Sequence, residues 1–406
     1  MFLKLAWRNI WRNKRRTLIT VSSVMFAVVF ALSLESLERG GHNLMVDNMT
    51  RFHTGYIQIQ DSRFEDEPSL DNTITYDSSL VRRVASVSDD IEFTVPRLET
   101  FMLAAGDEQT RGAMVLGIEA DAEDKMNDLR SRITAGEFFS SGNGSAVLAE
   151  GIASRLELAV GDTLVLLGQG RFGMTAAGKF AVSGLVNHPV RDMSNQLVYL
   201  SLQDAQWLTS AEDQITSLLV MPESVSESFT VAESLRSEFD GENYNILTWR
   251  QLIPELVEAL EFDRAGTKLY MGILYVIIGF GIFGTILTMT LERMREFGIL
   301  LAVGMHRIRL ASVVFLETFF MSILGVIAGF ALGSIILLYF RENPIRITGD
   351  AAEIIRDYGM EPIMPTAIAG DIFLWQGLVV FTLTIFISLY PVIKIATLNI
   401  LEASRT

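Results

Sequence analysis

Hydrophobic positions along this chain follow two regimes. Four stretches run apolar with almost no charge: Thr17–Leu34 for 18 residues, Leu269–Leu291 for 23, Leu310–Phe340 for 31 and Ile372–Ile393 for 22. A bilayer core of ~30 Å takes roughly 20 apolar residues of helix, so each stretch predicts a membrane span. Only Glu317 interrupts the third, whose helix would begin below the bilayer core and tilt through it. The first is longer than the ~7–15-residue apolar region of a cleaved leader. Between the first two spans the pattern shortens to alternating runs, such as GYIQIQ from Gly55, FMLAAG from Phe101 and AMVLGIEA from Ala113, which predict strands. Glu150–Leu158 reads as a helix and Val160–Gly168 as another strand. The fold class is therefore an α-helical membrane protein with four transmembrane helices and a large α+β extracytoplasmic domain inserted between the first two. Ile253–Leu260 is amphipathic and predicts a helix running stiffly into the second span.

Charge supplies the orientation. Residues 1–16 carry Lys4, Arg8, Arg12, Lys14, Arg15 and Arg16 and no acid, the loop after span two carries Arg293, Arg295, Arg307 and Arg309, and Lys394 follows span four. Short basic flanks stay cytoplasmic, so both termini are expected inside. Residues 35–268, with 18 bases against 38 acids, are expected outside. Expected boundaries are an interfacial amphipathic helix at 1–16, spans at 17–36, 266–291, 310–340 and 372–393, an outer domain at 37–265, a cytoplasmic loop at 292–309, an outer loop at 341–371 and a tail at 394–406. Leu3, Trp7, Ile10 and Trp11 share one face of the first helix while Lys4, Arg8 and Arg12 lie on another, the signature of a helix lying in the headgroup layer.

Composition narrows the function. The formal charge of -15 has the wrong sign for binding nucleic acid through phosphates. The chain has no cysteine, which excludes disulfides, thiolate metal sites and a lipid-modified cysteine. Two glycine-rich matches are set aside on context, because dinucleotide binding needs a strand, a glycine turn and then a helix. Gly168–Gly173 lies between two strands, and Gly279–Gly284 lies inside span two, where small residues serve helix packing. The same logic assigns Gly325, Gly329 and Gly333 of span three to helix packing. No phosphate loop, HExxH or GxSxG motif is present. His42, His53, His188 and His306 are scattered and read as ordinary surface or packing residues. No catalytic, cofactor or metal residues are assigned. Glu317 reads either as a partner of a nearby base such as Arg309 or as a coupling group.

Leu291–Leu310, LERMREFGILLAVGMHRIRL, sets charges before an apolar stretch, Gly304 and a second basic cluster, the pattern of a short helix along the membrane that docks into another protein. The run with Arg295, Glu296, Gly298, Gly304 and Met305 resembles the signature of FtsX-like permeases of ABC transporters, the type VII or MacB and Lol group. The resemblance extends to ITAGEFF from Ile133, to AVLAEGIASRLELAVGDTLVLL from Ala146, to Glu317 with Gly325 and Gly329, and to the ending from Pro391 through Ile400–Arg405. Asn399-Ile400 departs from it, since many members carry proline there.

The resemblance implies a permease of the bacterial cytoplasmic membrane with its large domain in the periplasm. It implies no enzyme: ATP and Mg²⁺ would be bound by a separate cytoplasmic ATPase subunit, gripping Arg293, Arg295, Glu296, Gly298, Gly304 and Met305. It further implies a dimer with a second copy or a paralogue, mechanical work outside the membrane, and, in Lol-like members, extraction of a lipoprotein or other amphiphilic substrate toward a periplasmic carrier. On that reading Val24, Phe26, Val28 and Phe30 of span one and Met271, Leu274 and Tyr275 of span two would contact the acyl chains. MacB-like export of drugs or peptides, and FtsX-like control of a cell-wall hydrolase, are the alternatives.

Overall fold

The computed structural model describes residues 2–139, 142–357 and 362–398. The tail residues 399–406, including Asn399-Ile400 and the rest of the expected ending, lie outside them. The chain divides into two compact units, one made of residues 1–42, 260–346 and 363–406 and the other of residues 43–259 and 347–362.

The first unit is helical. Helix α1 (Phe2–Arg12) is followed by α2 (Lys14–Met49), α3 (Pro254–Glu292), α4 (Met294–Ala302), α5 (Arg307–Glu342), α6 (Gly370–Ile387) and α7 (Leu389–Ala396). Four helical stretches are long and apolar enough to cross a membrane: 14–54, 254–292, 307–342 and the α6–α7 stretch 370–396. At 1.5 Å per residue, the 36 residues of α2 and the 39 of α3 reach ~54 Å and ~58 Å, well beyond a ~30 Å hydrocarbon core. The bundle interior is filled by Val24, Val28, Ala31, Leu32, Ile282, Ile286, Leu337 and Val380. Gly40 of α2 holds the returning outer loop: a Cβ there would sit 2.1 Å from the Pro365 carbonyl oxygen. This close approach lets Ala367 N–H donate to the Ser36 carbonyl at 2.9 Å.

Helix α1 does not present its whole apolar stripe to lipid. Ile10 and Ala6 are buried, and Trp7 meets Phe320 of α5 edge-on at 5.7 Å, whereas Leu3 and Trp11 stay exposed.

The second unit is built on a ten-stranded sheet. Its strands are β1 (Ile57–Asp61), β2 (Ile91–Ala105), β3 (Thr110–Ile118), β4 (Ile133–Gly136), β5 (Ser145–Ala149), β6 (Thr163–Gln169), β7 (Thr175–Val186), β8 (Leu197–Ser201), β9 (Ser217–Pro222) and β10 (Tyr244–Thr248). The order is β10-β1-β9-β2-β3-β8-β5-β7-β4, with β6 pairing β2 and β7. Pairs β3/β8 and β5/β7 are parallel and the others antiparallel. Short helices at Ser78–Ala85, Leu202–Thr209 and Ser228–Glu238 cover it, the first capped by the Asp77 carboxylate accepting from Ser79 and Leu80 N–H. The glycine-rich Gly168–Gly173 is where β6 turns into β7, with Phe172 and Gly173 at positive φ and no helix behind them.

A buried ion pair ties this unit together. Arg97 of β2, 1% exposed, donates to both carboxylate oxygens of the fully buried Glu123 and to the His53 carbonyl. Burial alone would depress the guanidinium pKa, but Glu123 and Glu99 outweigh it and hold it above the ordinary value. His188, 3% exposed, is pushed down to about 4 by burial, with Arg132 and Arg97 adding to the effect.

Candidate functional site

The end of the helical unit where α1 begins and α3 gives way to α4 carries a connected set of polar groups. Helix α3 stops at Glu292 and α4 starts at Met294, leaving Arg293 between them with φ -101° and ψ 2°. Its guanidinium turns inward, donating through Nη1 to Glu317 Oε2 and lying 3.5 Å from Oε1 through Nη2. Asn9 of α1 donates from Nδ2 to Glu317 Oε1 at 2.7 Å. Arg293 Nε is 3.5 Å from Glu296, which itself lies 4.0 Å from Arg12. Side-chain exposures of 8% and 2% for Arg293 and Glu317 make this a desolvated pair. Such a pair costs desolvation on both sides and holds only where geometry and further hydrogen bonds compensate.

Two sequence expectations change here. The partner of Glu317 is Arg293, not Arg309, because the chain break after Glu292 carries the guanidinium back against α5, while Arg309 faces outward. Arg293 is therefore unavailable as an exposed contact for an ATPase, and Gly298 is buried as well. Exposed at this end are Arg295, Glu296, Ile299, Leu300, Val303 and Ile308, the last two at 83% and 81%. Sequence reasoning missed the four apolar ones; large aliphatic residues set among charges were the available signal.

Helix α4 is fixed from beneath by Phe297 and Leu301, packed with Leu310 and Val314 of α5 and Ile395 of α7, with Met305 against their edge. Its end is set by Gly304 at φ +101°, where Gly304 N–H donates to the Leu301 carbonyl and Met305 N–H to the Leu300 carbonyl. This double bond pattern closes a helix and requires a residue comfortable at positive φ.

Gly325, Gly329 and Gly333 of α5 lie against α2. A Cβ on Gly325 would stand 2.6 Å from Val24 Cβ, one on Gly329 2.6 Å from Val28 Cβ, and one on Gly333 3.0 Å from Leu32 Cδ1. Val24 and Val28 are thereby fully buried and removed from any lipid-facing wall, which corrects their assignment to acyl-chain contact. Phe26 and Phe30, on other faces of α2, are 52% and 64% exposed. On α3, Met271 is buried, Leu274 is half-buried, and the Tyr275 hydroxyl donates to Gln376 Oε1 of α6 at 2.5 Å. Of the seven residues expected at the acyl chains, only the two phenylalanines are broadly exposed.

Besides their shared apolar core, helices α2 and α3 are joined toward this end by polar contacts: Arg16 to Glu292 at 2.8 Å, Ser23 to Thr285 at 3.3 Å and the Thr20 hydroxyl to the Met289 sulfur at 3.9 Å. Beside them a cavity of about 400 Å³ is lined by Thr20, Phe280, Gly281, Gly284 and Thr288. Gly281 and Gly284 face open space, so within one chain they do not serve the close packing expected of them.

Residues 17–238 match the MacB-like periplasmic core domain and residues 268–400 the FtsX-like permease C-terminal region. An uncharacterised ABC transporter permease of Methanocaldococcus jannaschii is 21% identical over 338 residues, 81% of each chain. Solved structures similar in part include the extracellular domain of the noncanonic ABC-type transporter YknZ from Gram-positive bacteria, at 14% identity and TM-score 0.35, covering 47% of this chain and 99% of that one. The periplasmic region of MacB from Actinobacillus actinomycetemcomitans is 17% identical, with a TM-score of 0.36, covering 52% of this chain and 96% of that one. With four membrane-crossing helices, the α+β domain between the first two, and family matches over both regions, the chain belongs to the MacB/FtsX-type permeases of ABC transporters.

Proposed function

We propose that this permease converts nucleotide-driven closure of a partner ATPase into movement of its outer domain, without conducting cargo through its own bundle. The observation that carries the reading is that α2 and α3, which lead into and out of the outer segment, are each one uninterrupted helix, while apolar side chains of α2, α3, α5 and α6 fill the interior between them. Exposed Arg295, Glu296, Ile299, Leu300 and Val303 form the contact for the ATPase, which holds ATP and Mg²⁺. Phe297, Leu301 and the Arg293–Glu317 pair pass its displacement to α5 and α1. Nucleotide shifts the permease only to the extent that the closed ATPase prefers one arrangement of it.

The protein works as a dimer in a cytoplasmic membrane, and its cargo is an acylated lipoprotein drawn from the outer leaflet toward a carrier. Phe26 and Phe30, large and open to the membrane on α2, are the residues best placed to touch acyl chains. The test is purification from the native membrane into nanodiscs without nucleotide, then mass spectrometry of everything bound before and after ATP. An ATPase together with acylated lipoproteins that leave on ATP addition is expected. A cell-wall hydrolase or a tunnel-forming exporter partner, with no acylated cargo, would replace the lipoprotein assignment.

A further inference from the structure

At the outer end of the helical unit, three potential ligands converge from two helices. Glu38 and His42 stand one turn apart on α2, and Asp263 projects from α3. His42 Nε2 lies 2.5 Å from Asp263 Oδ2, His42 Nδ1 lies 3.9 Å from Glu38 Oε1, and one ligand atom from each of the three falls within 4.8 Å of the others. Glu38 and His42 are mostly enclosed, with side-chain exposures of 15% and 13%, whereas Asp263 at 65% keeps the site open to solvent. Charge is unbalanced here. Glu35 adds a third carboxylate one turn below Glu38, while Arg39 of the same helix is engaged by Asp371 at 2.6 Å and stays 3.8 Å from Glu35.

We propose that Glu38, His42 and Asp263 form a site for a divalent transition-metal ion of the zinc type, which joins α2 to α3. An imidazole with two carboxylates suits zinc, whereas magnesium and calcium favour all-oxygen shells. Zinc to nitrogen and oxygen distances of ~2.0–2.2 Å put tetrahedral ligands about 3.4 Å apart. The ion therefore takes the position between His42 Nε2 and Asp263 Oδ2 as the two atoms separate slightly, the neutral imidazole coordinating through Nε2 with its hydrogen on Nδ1 and Asp263 as carboxylate. Glu38 closes toward it, and water fills the fourth position on the exposed side of Asp263. Because the site joins α2 to α3 beyond the buried apolar contacts that Val28 and Leu32 share with Ile282 and Ile286, an ion here braces the two helices assigned to transmit the stroke. That regulatory consequence rests on the proposed function, while the site itself does not.

The probe is zinc alone, titrated calorimetrically into the chelator-washed full-length permease in nanodiscs. One saturable site per chain is expected, weakened at least tenfold in His42→Ala. Asp263→Asn, which preserves a hydrogen-bonding group opposite His42, guards against loss of fold and is expected to weaken binding similarly. Absence of saturable binding, or equal affinity in wild type and both variants, overturns the site and leaves a His42–Asp263 hydrogen bond only. Because the chain has no cysteine, spin labels at Gly41→Cys and Gly266→Cys, both in open space, report the brace. Zinc should narrow their distance distribution, and no narrowing overturns the brace. In the permease–ATPase complex zinc should slow stimulated ATP hydrolysis in wild type but not in His42→Ala. Intact zinc binding with unchanged hydrolysis refutes the mechanical function and spares the site.

Discussion

Removing the charge of Glu317 tests the transmission reading most directly. In Glu317→Leu the guanidinium of Arg293, 8% exposed, keeps no carboxylate at the α5 position. Asn9 loses its acceptor on Glu317 at the same time. Breaking one side of a buried pair costs about 3–5 kcal/mol, because the survivor remains desolvated and uncompensated. Replacing both sides with apolar groups of similar volume is often neutral. Arg293→Met combined with Glu317→Leu should therefore recover most of the stability lost in either single variant, giving a coupling energy of at least ~2 kcal/mol. Thermal unfolding of wild type and the three variants in nanodiscs measures that cycle, and ATP hydrolysis by the reconstituted complex measures the second quantity. If the pair transmits displacement, the double variant regains Tm while stimulated hydrolysis stays low. Additive single-variant losses in Tm would refute the claim that the two residues act as one unit, and recovery of both quantities would reduce the pair to a structural one.

Other outcomes follow from the same geometry. Reversing Arg295 should change stability by no more than ~0.5 kcal/mol, as exposed substitutions do, and reversing Glu296, which faces Arg293 and Arg12, by more, yet each should uncouple ATP hydrolysis from cargo; unchanged stimulated activity in both would end their assignment as ATPase contacts. Gly329→Ala should destabilise by about 1–3 kcal/mol through overpacking against Val28 Cβ, and by more than Gly333→Ala, whose neighbour is the movable end of Leu32; equal Tm shifts would contradict this. Burial pushes His188 down to about 4 in the folded domain from its ordinary value of 6.5. The unfolded chain thus takes up the proton first, so the His188 contribution to stability is full above about pH 6.5 and falls by ~3 kcal/mol as pH drops to about 4, the buried His53 adding a loss of its own in the same window. His188→Asn should flatten that slope in the full-length protein, and an unaltered pH profile would remove His188 as its cause.

What could be read from sequence divides along physical lines. Spans and strands are visible because lipid and a half-buried sheet impose periods on neighbouring residues. Gly325, Gly329 and Gly333 reveal a close-packing face by spacing, but nothing local says that Val24 and Val28 fill it. Those valines consequently looked like lipid contacts. Arg293 is the sharpest failure: beside Arg295 and Glu296 it has the same composition and flanks, and only the helix break after Glu292 turns it inward to a carboxylate 24 residues away. Sheet order was equally hidden, since β1 pairs with β10 near the domain's end, placing Ile57 opposite Thr248.

The glycine stripe sets where this molecule is stiff. Along α2 and α5, backbone approaches side chain so closely that a Gly325 Cβ would stand 3.1 Å from the Val21 carbonyl oxygen, leaving no room to slide. Along α3, by contrast, Gly281 and Gly284 face open space beside the Ser23–Thr285 and Arg16–Glu292 contacts to α2. Residue size thus sets a tight joint along α2 and α5 and a looser one beside the open glycines of α3, where a larger side chain would meet no neighbour.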